Sequence, residues 1–141
     1  MVVDSDALIG LIHENDALHT RCLAVANYLS RNSFATIVPA PVILEAATTL
    51  AKDKTINRPD LAKKLLNDYS QTNIDIPNVE IFQQAASLYP SKGSKKNTPF
   101  DYLVLSTAKF YDIKTVFSFD GFYRRNGLTL IEKLLPRGAS F

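Results

Sequence analysis

Short apolar runs that end abruptly, each followed by a segment with helical spacing, recur along this chain and restrict what it can fold into. Met1-Val2-Val3 stops at Asp4, and behind it Ala7-Leu8-Ile9-x-Leu11-Ile12 has the spacing of a helix. Thr36-Ile37-Val38 is a second strand candidate. Pro39-Ala40-Pro41 then opens a helix to about Lys52, because proline suits a first turn. Ile74-Asp75-Ile76 alternates as a strand before a helix over Val79 to Leu88, and Thr115-Val116-Phe117-Ser118-Phe119 is a β-branched and aromatic strand. Leu128-Thr129-Leu130-Ile131 is a candidate edge strand. Further helices are expected over Leu18 to Leu29, over Arg58 to Tyr69, and from Thr98-Pro99 to about Tyr111. Ser91 to Asn97, with Gly93, three lysines and no apolar side chain, reads as a loop.

Strands alternating with helices predict an α/β fold: a central, mostly parallel β-sheet flanked by helices on both faces. With 141 residues the chain is expected to form a single domain over 1–141, large enough to bury a core without metal or disulfide staples. The single cysteine, Cys22, fits a reducing compartment. No apolar run is long enough for a membrane helix, and Asp4 and Asp6 stand where a signal peptide carries basic residues, so a soluble cytoplasmic protein is expected.

Parallel sheets bind ligands outside the carboxyl ends of their strands, which makes acids at those ends worth following. Asp4 directly follows the first strand and Asp120 the Val116 to Phe119 strand; both positions also suit a helix N-cap or turn. Glu45 is the sole ionisable residue between Asn32 and Ala51, on a helix otherwise apolar, so it must reach water, a cation or an exposed edge. Asp101 lies in the first turn of its helix, where Thr98-x-x-Asp101 also matches a capping box. Four carboxylates converging on one pocket repel one another unless they share a proton or a cation. A hard cation with oxygen ligands resolves the conflict, and Mg²⁺ suits such a set, whereas Zn²⁺ calls for His or Cys. His13, His19 and Cys22 are too scattered for a zinc motif.

Val2-Val3-Asp4-Ser5-Asp6-Ala7-Leu8-Ile9, Pro41-x-x-x-Glu45, Phe100-Asp101-Tyr102-Leu103-Val104-Leu105 and Ser118-Phe119-Asp120-Gly121-Phe122 together resemble a PIN domain, in the order and approximate spacing of that family's acids. The likeness covers nearly the whole chain and is greatest to stand-alone VapC-type toxins of toxin–antitoxin pairs. Asn15-Asp16-x-x-His19 also looks like a segment of such toxins, in which the histidine is not a metal ligand. The resemblance implies a PIN-like three-layer fold and a metal-dependent endoribonuclease with Asp4, Glu45, Asp101 and Asp120 as catalytic and metal-binding acids. Asp6 and Ser118 would be accessory, Ser118 through hydrogen bonding or else as a strand residue facing solvent. One or two Mg²⁺ or Mn²⁺ ions would polarise the scissile phosphate and activate water, leaving 5′-phosphate and 3′-hydroxyl ends. RNA as substrate, an antitoxin protein and a second copy in a homodimer are the implied partners, with no membrane.

A formal net charge of +2 argues at first against a polyanionic partner, but its distribution does not. Residues 1–90 carry 7 Lys and Arg against 10 Asp and Glu, or −3, while residues 91–141 carry 9 against 4, or +5. Lys92, Lys95 and Lys96 precede Asp101, and Arg124 and Arg125 follow Asp120, so these five are candidate RNA-binding residues. The lysines equally suit a solvated connection. Phe122 and Tyr123 could stack on a base, although packing against the sheet is the commoner fate of such side chains. Competing readings are a housekeeping RNA-processing PIN nuclease, a haloacid dehalogenase-type phosphatase built on Asp4-Ser5-Asp6, and a non-catalytic RNA- or protein-binding module. A receiver domain fits less well, since its acids would be adjacent after the first strand.

Overall fold

The computed structural model describes residues 1–72 and 74–135; residues 136–141 of the domain expected over 1–141 lie outside the described residues. Strand β1 (Val2–Val3) runs into α1 (Ser5–Ile12), and α2 (His19–Arg31), α3 (Ala40–Lys52), α4 (Pro59–Ser70), α5 (Val79–Leu88) and α6 (Pro99–Phe110) follow. The chain then forms β2 (Thr115–Phe117), the short helix α7 (Gly121–Arg125), β3 (Thr129–Leu130) and a 3₁₀ turn over Ile131–Leu134.

The three strands are parallel in the order β1-β2-β3, with Val3 opposite Phe117 and Val116 opposite Leu130. Successive strand residues point to opposite faces, and both residues of β1 and both Val116 and Phe117 of β2 are buried, so helices cover the sheet on both sides. Two expected strands are reduced. Residues 36–38 contribute an isolated parallel bridge, Ile37 to Val2, and residues 74–76 another, Asp75 to Pro39. They continue the sheet beyond β1 by single pairings, because Pro39 caps α3 immediately after the first bridge. The strand expected over 115–119 ends at Phe117, and that expected over 128–131 covers Thr129–Leu130 before tightening into the 3₁₀ turn. Among the described residues no helix is long and apolar enough to cross a membrane.

Parallel register sends several chain segments off one edge of the sheet. The Asp4 backbone N–H donates to the Phe117 carbonyl at 3.1 Å, so α1 and the 118–120 connection leave β1 and β2 side by side. Helix α3 starts on the same side, after the bridge at Ile37. Helix α6 starts with Pro99 at its first position and Thr98 as N-cap, and its buried stretch Leu103–Ala108 packs against β1 and α3. The core gathers Val2, Leu8, Val25, Val42, Leu50, Val104, Val116, Phe117 and Ile131; a smaller cluster of Ile81, Ala85 and Leu103 joins α5 to α6.

The α1–α2 contact depends on Gly10. A Cβ there would lie 2.5 Å from the Sγ of fully buried Cys22. Gly10→Ala should therefore destabilise the fold by about 1–3 kcal/mol through overpacking, read as a lowered chemical-denaturation midpoint with an unchanged slope. The Asn15-Asp16-x-x-His19 segment serves the same junction: Asp16 Oδ1 accepts from the Leu18 N–H, and His19 Nδ1 donates to the Gly10 carbonyl at 2.7 Å. His19 is thus committed to the backbone.

Candidate active site

Each expected acid occupies the start of a helix or faces one, as the local sequence requires. Asp4 is the N-cap of α1 and Asp120 that of α7, accepting from the Ser5 and Phe122 N–H groups at 2.8 and 2.7 Å. Asp101 completes the capping box of α6: its Oδ2 accepts from the Thr98 N–H at 2.5 Å and from Thr98 Oγ1 at 3.2 Å. Capping and a place in the acid group therefore coexist in the same three residues. Glu45, on the second turn of α3, is half-buried and accepts from Thr98 Oγ1 at 3.2 Å and from the Ser5 hydroxyl. One threonine hydroxyl thereby bridges the carboxylates of α3 and α6.

Asp6, the expected accessory residue, is half-buried and bonded to the connection that follows β2. Its Oδ2 accepts from Ser118 Oγ at 3.0 Å and from the Phe119 N–H at 2.8 Å, while Oδ1 is buried with no hydrogen-bond partner among the described residues. Ser118 is fully buried and does not face solvent; its Oγ also accepts from the Asp120 N–H at 3.1 Å. It shapes the connection that presents Asp120, which is exposed.

The charges of these acids act on one another. Burial holds the Asp4 carboxyl well above the usual carboxylate range, and the charges of Asp6 and Asp101 push it further. Asp6 is raised to about 6, first by burial and then by Asp120, against the opposing hydrogen bonds from Phe119 and Ser118. Asp101 is raised by burial and by Asp120, and Glu45 by burial and by Asp101. Burial and neighbouring carboxylates thus disfavour the ionised forms of Asp4, Asp6, Glu45 and Asp101.

The expected metal ligands can be tested on this geometry. Among the described residues no three His, Cys, Asp or Glu side chains close into a ready-made ligand group, since several of the carboxylate oxygens are turned to backbone N–H groups. The donor chemistry nevertheless fits a hard divalent cation: all five groups offer oxygen, their mutual repulsion lacks a cationic side-chain partner among the described ion pairs, and Asp6 Oδ1 is unpartnered.

Of the candidate RNA-binding residues, Arg124 and Arg125 lie beside the start of α7. A Cβ on Gly121 would meet their guanidinium groups at 4.0 and 3.1 Å, which places both beside the residue that follows Asp120. Both are exposed, as are Lys92, Lys95 and Lys96, and none of the five is in an ion pair among the described residues. The lysines sit in the expected loop, where Gly93 has φ +70° and Ser94 Oγ accepts from the Lys96 and Asn97 N–H groups, giving the turn a defined shape.

Tyr123 is the residue whose part the sequence leaves unread. It packs as an aromatic core residue, completely buried, yet its hydroxyl lies 3.3 Å from Asp101 Oδ1 and within hydrogen-bonding reach of Asp4. Burial and those two carboxylates push its own pKa far up, keeping it a donor. Ser5 and the hydroxyl of Thr98 belong to the same network. Only the position of Ser5 next to Asp4 and the capping box of Thr98 signal them in sequence.

The sequence model of the PIN domain family matches residues 1–127. Among solved structures, the crystal structure of Mycobacterium tuberculosis VapC20, a toxin that cleaves the sarcin-ricin loop, superposes with a TM-score of 0.71 over 91% of this chain and 95% of that one, at 15% sequence identity. No curated protein sequence matches the chain.

Proposed function

Because the chain belongs to the PIN domain family, we propose that it is a Mg²⁺- or Mn²⁺-dependent endoribonuclease of the VapC toxin type. The single observation that carries this reading is the hydrogen-bonded linkage of the acids at one edge of a parallel sheet, Glu45 to Asp101 through Thr98, Asp101 to Asp4 through Tyr123 and Asp6 to the Asp120 backbone through Ser118, where a cation and a phosphodiester would meet. Asp4, Glu45, Asp101 and Asp120 would hold the cation, with Asp6 and Ser118 fixing the connection that presents Asp120. Bound there, a divalent ion would supply charge neutralisation for the phosphate and activation of water.

The chain's own groups divide the remaining work. Asp101 and Glu45, tied through Thr98, set the carboxylate wall on one side. Asp120, exposed at the start of α7, faces the substrate side with Arg124 and Arg125 next to it. Those guanidiniums would neutralise flanking phosphates. Combined Arg124→Ala and Arg125→Ala substitution should weaken RNA binding across sequences and flatten the salt dependence of log K by about 1 to 2, measured by filter binding at several salt concentrations. Lys92, Lys95 and Lys96 extend the basic surround.

A phosphatase built on Asp4 and Asp6 would leave Glu45 without a task, whereas here Glu45 shares a hydroxyl with Asp101. The proposed partners are a structured RNA, a cognate antitoxin encoded beside this chain, and a second copy, in the cytoplasm. An apolar groove of about 560 Å³ lined by Pro41, Leu44, Ile76, Phe82, Phe100 and Leu103 supports the homodimer, since Ile76 is 77% and Phe82 65% exposed. The function is tested by sequencing the ends of RNA fragments released by purified protein in Mn²⁺. Internal cuts leaving 5′-phosphate and 3′-hydroxyl ends support it; intact RNA together with hydrolysis of an aryl phosphate would replace it with the phosphatase.

A further inference from the structure

Two carboxylates on different elements meet one buried phenol. Asp101 commits Oδ2 to the cap of α6 and turns Oδ1 towards the Tyr123 hydroxyl, 3.3 Å away. Asp4 commits Oδ1 to the Ser5 N–H and also reaches that hydroxyl. The phenol cannot swing aside. Tyr123 is completely buried, and its ring lies edge-on against Phe122 at 5.2 Å, which lies edge-on against Tyr102 at 5.1 Å, which in turn meets Tyr89 at 5.3 Å. The backbone at this point is fixed as well, the Tyr123 carbonyl accepting from the Leu128 N–H at 3.0 Å. This fully buried ring carries a hydroxyl whose single proton is shared between Asp4, the N-cap of α1, and Asp101 on α6.

We propose that Tyr123 is a positioning residue whose hydroxyl holds Asp4 and Asp101 in a shared orientation for a divalent cation. The inference rests on the cation-dependent reading given above and adds to it a group that touches neither RNA nor cation. A phenol in this place does what outer partners of metal ligands do generally: it limits the rotation of each carboxylate and spaces two like charges that otherwise repel. Its aromatic body alone would satisfy the packing, so the hydroxyl is the part that requires an explanation.

The test is Tyr123→Phe, which keeps the ring and deletes the hydroxyl, with Mn²⁺ affinity measured by calorimetry on the full chain. The expected result is a Kd raised about tenfold or more, an unfolding midpoint close to that of the unsubstituted protein, and RNA cleavage that recovers when Mn²⁺ is raised to saturation. Recovery at saturation separates positioning from damage to the fold, which extra cation would not repair. Equal Mn²⁺ affinity in the two proteins overturns the role of Tyr123 and leaves the nuclease reading standing. Mn²⁺ binding weakened by the substitution but without RNA cleavage by either protein upholds the positioning role and removes the nuclease. Failure of the unsubstituted chain to bind Mn²⁺ overturns both.

Discussion

Asp101→Asn is expected to lower RNA cleavage roughly a thousandfold while the chain remains folded. Asparagine retains an oxygen that can accept from the Thr98 N–H, so the capping box keeps its main bond and α6 loses about 1 kcal/mol or less. It removes the negative charge that faces Tyr123, shares Thr98 with Glu45 and acts on Asp4. Stabilisation of charge by a bound cation contributes several kcal/mol to such reactions, and each 1.4 kcal/mol corresponds to about tenfold in rate, which gives the thousandfold figure. Loss of cleavage with a denaturation midpoint lowered by no more than that capping loss places Asp101 in the chemistry. Wild-type rates for Asp101→Asn would return it to a capping role alone.

Without a divalent cation the protein should become less stable as pH rises through the range where its buried acids ionise. Asp6 is raised from 3.8 to about 6, so between those values the folded state binds more protons than the unfolded one, and stability declines as pH increases. The penalty is fully present above about pH 6 and corresponds to about 3 kcal/mol for Asp6 alone, or roughly 10 °C in unfolding midpoint for a chain of this size. Asp4, raised in the same direction by burial and by Asp6 and Asp101, adds to it with the same sign. Thermal unfolding in EDTA at pH 4.5 and 7.5 reads about two-thirds of this effect, because at pH 4.5 Asp6 is already mostly ionised in the unfolded chain. At pH 7.5, Mn²⁺ at about a hundred times its Kd should restore about 2.7 kcal/mol through preferential binding to the folded state. A midpoint in EDTA that rises from pH 4.5 to 7.5, and that Mn²⁺ leaves unmoved, would mean that these carboxylates are neither strained nor neutralised by a cation.

What the sequence revealed of this site depended on how local each cause was. Asp4 and Asp120 follow short apolar runs and open helices, so hydrophobic pattern and turn chemistry placed them within a residue or two. Glu45 stood out as the sole ionisable residue between Asn32 and Ala51, and the structure gives it hydroxyl partners from Ser5 and Thr98. The strands at 36–38 and 74–76 shrank to single bridges because proline and the onset of α3 and α5 end the pairing, a competition that apolar spacing does not express. Tyr123 was legible as core but not as a partner of Asp101, since that contact joins α7 to α6 across 22 residues and depends on how both helices pack. The depth of Asp6 is likewise a long-range fact: its bonds to Ser118 and Phe119 cross more than a hundred residues of chain.

If these acids hold a divalent cation for RNA hydrolysis, the initial rate of cleavage of a structured RNA must follow the Mn²⁺ concentration. The expected results are no cleavage in EDTA, a saturable rise with Mn²⁺ for the unsubstituted chain, and a rate that stays near zero for Asp101→Asn across the same range. Cleavage that proceeds equally in EDTA, or that Asp101→Asn supports at the wild-type rate, would contradict it.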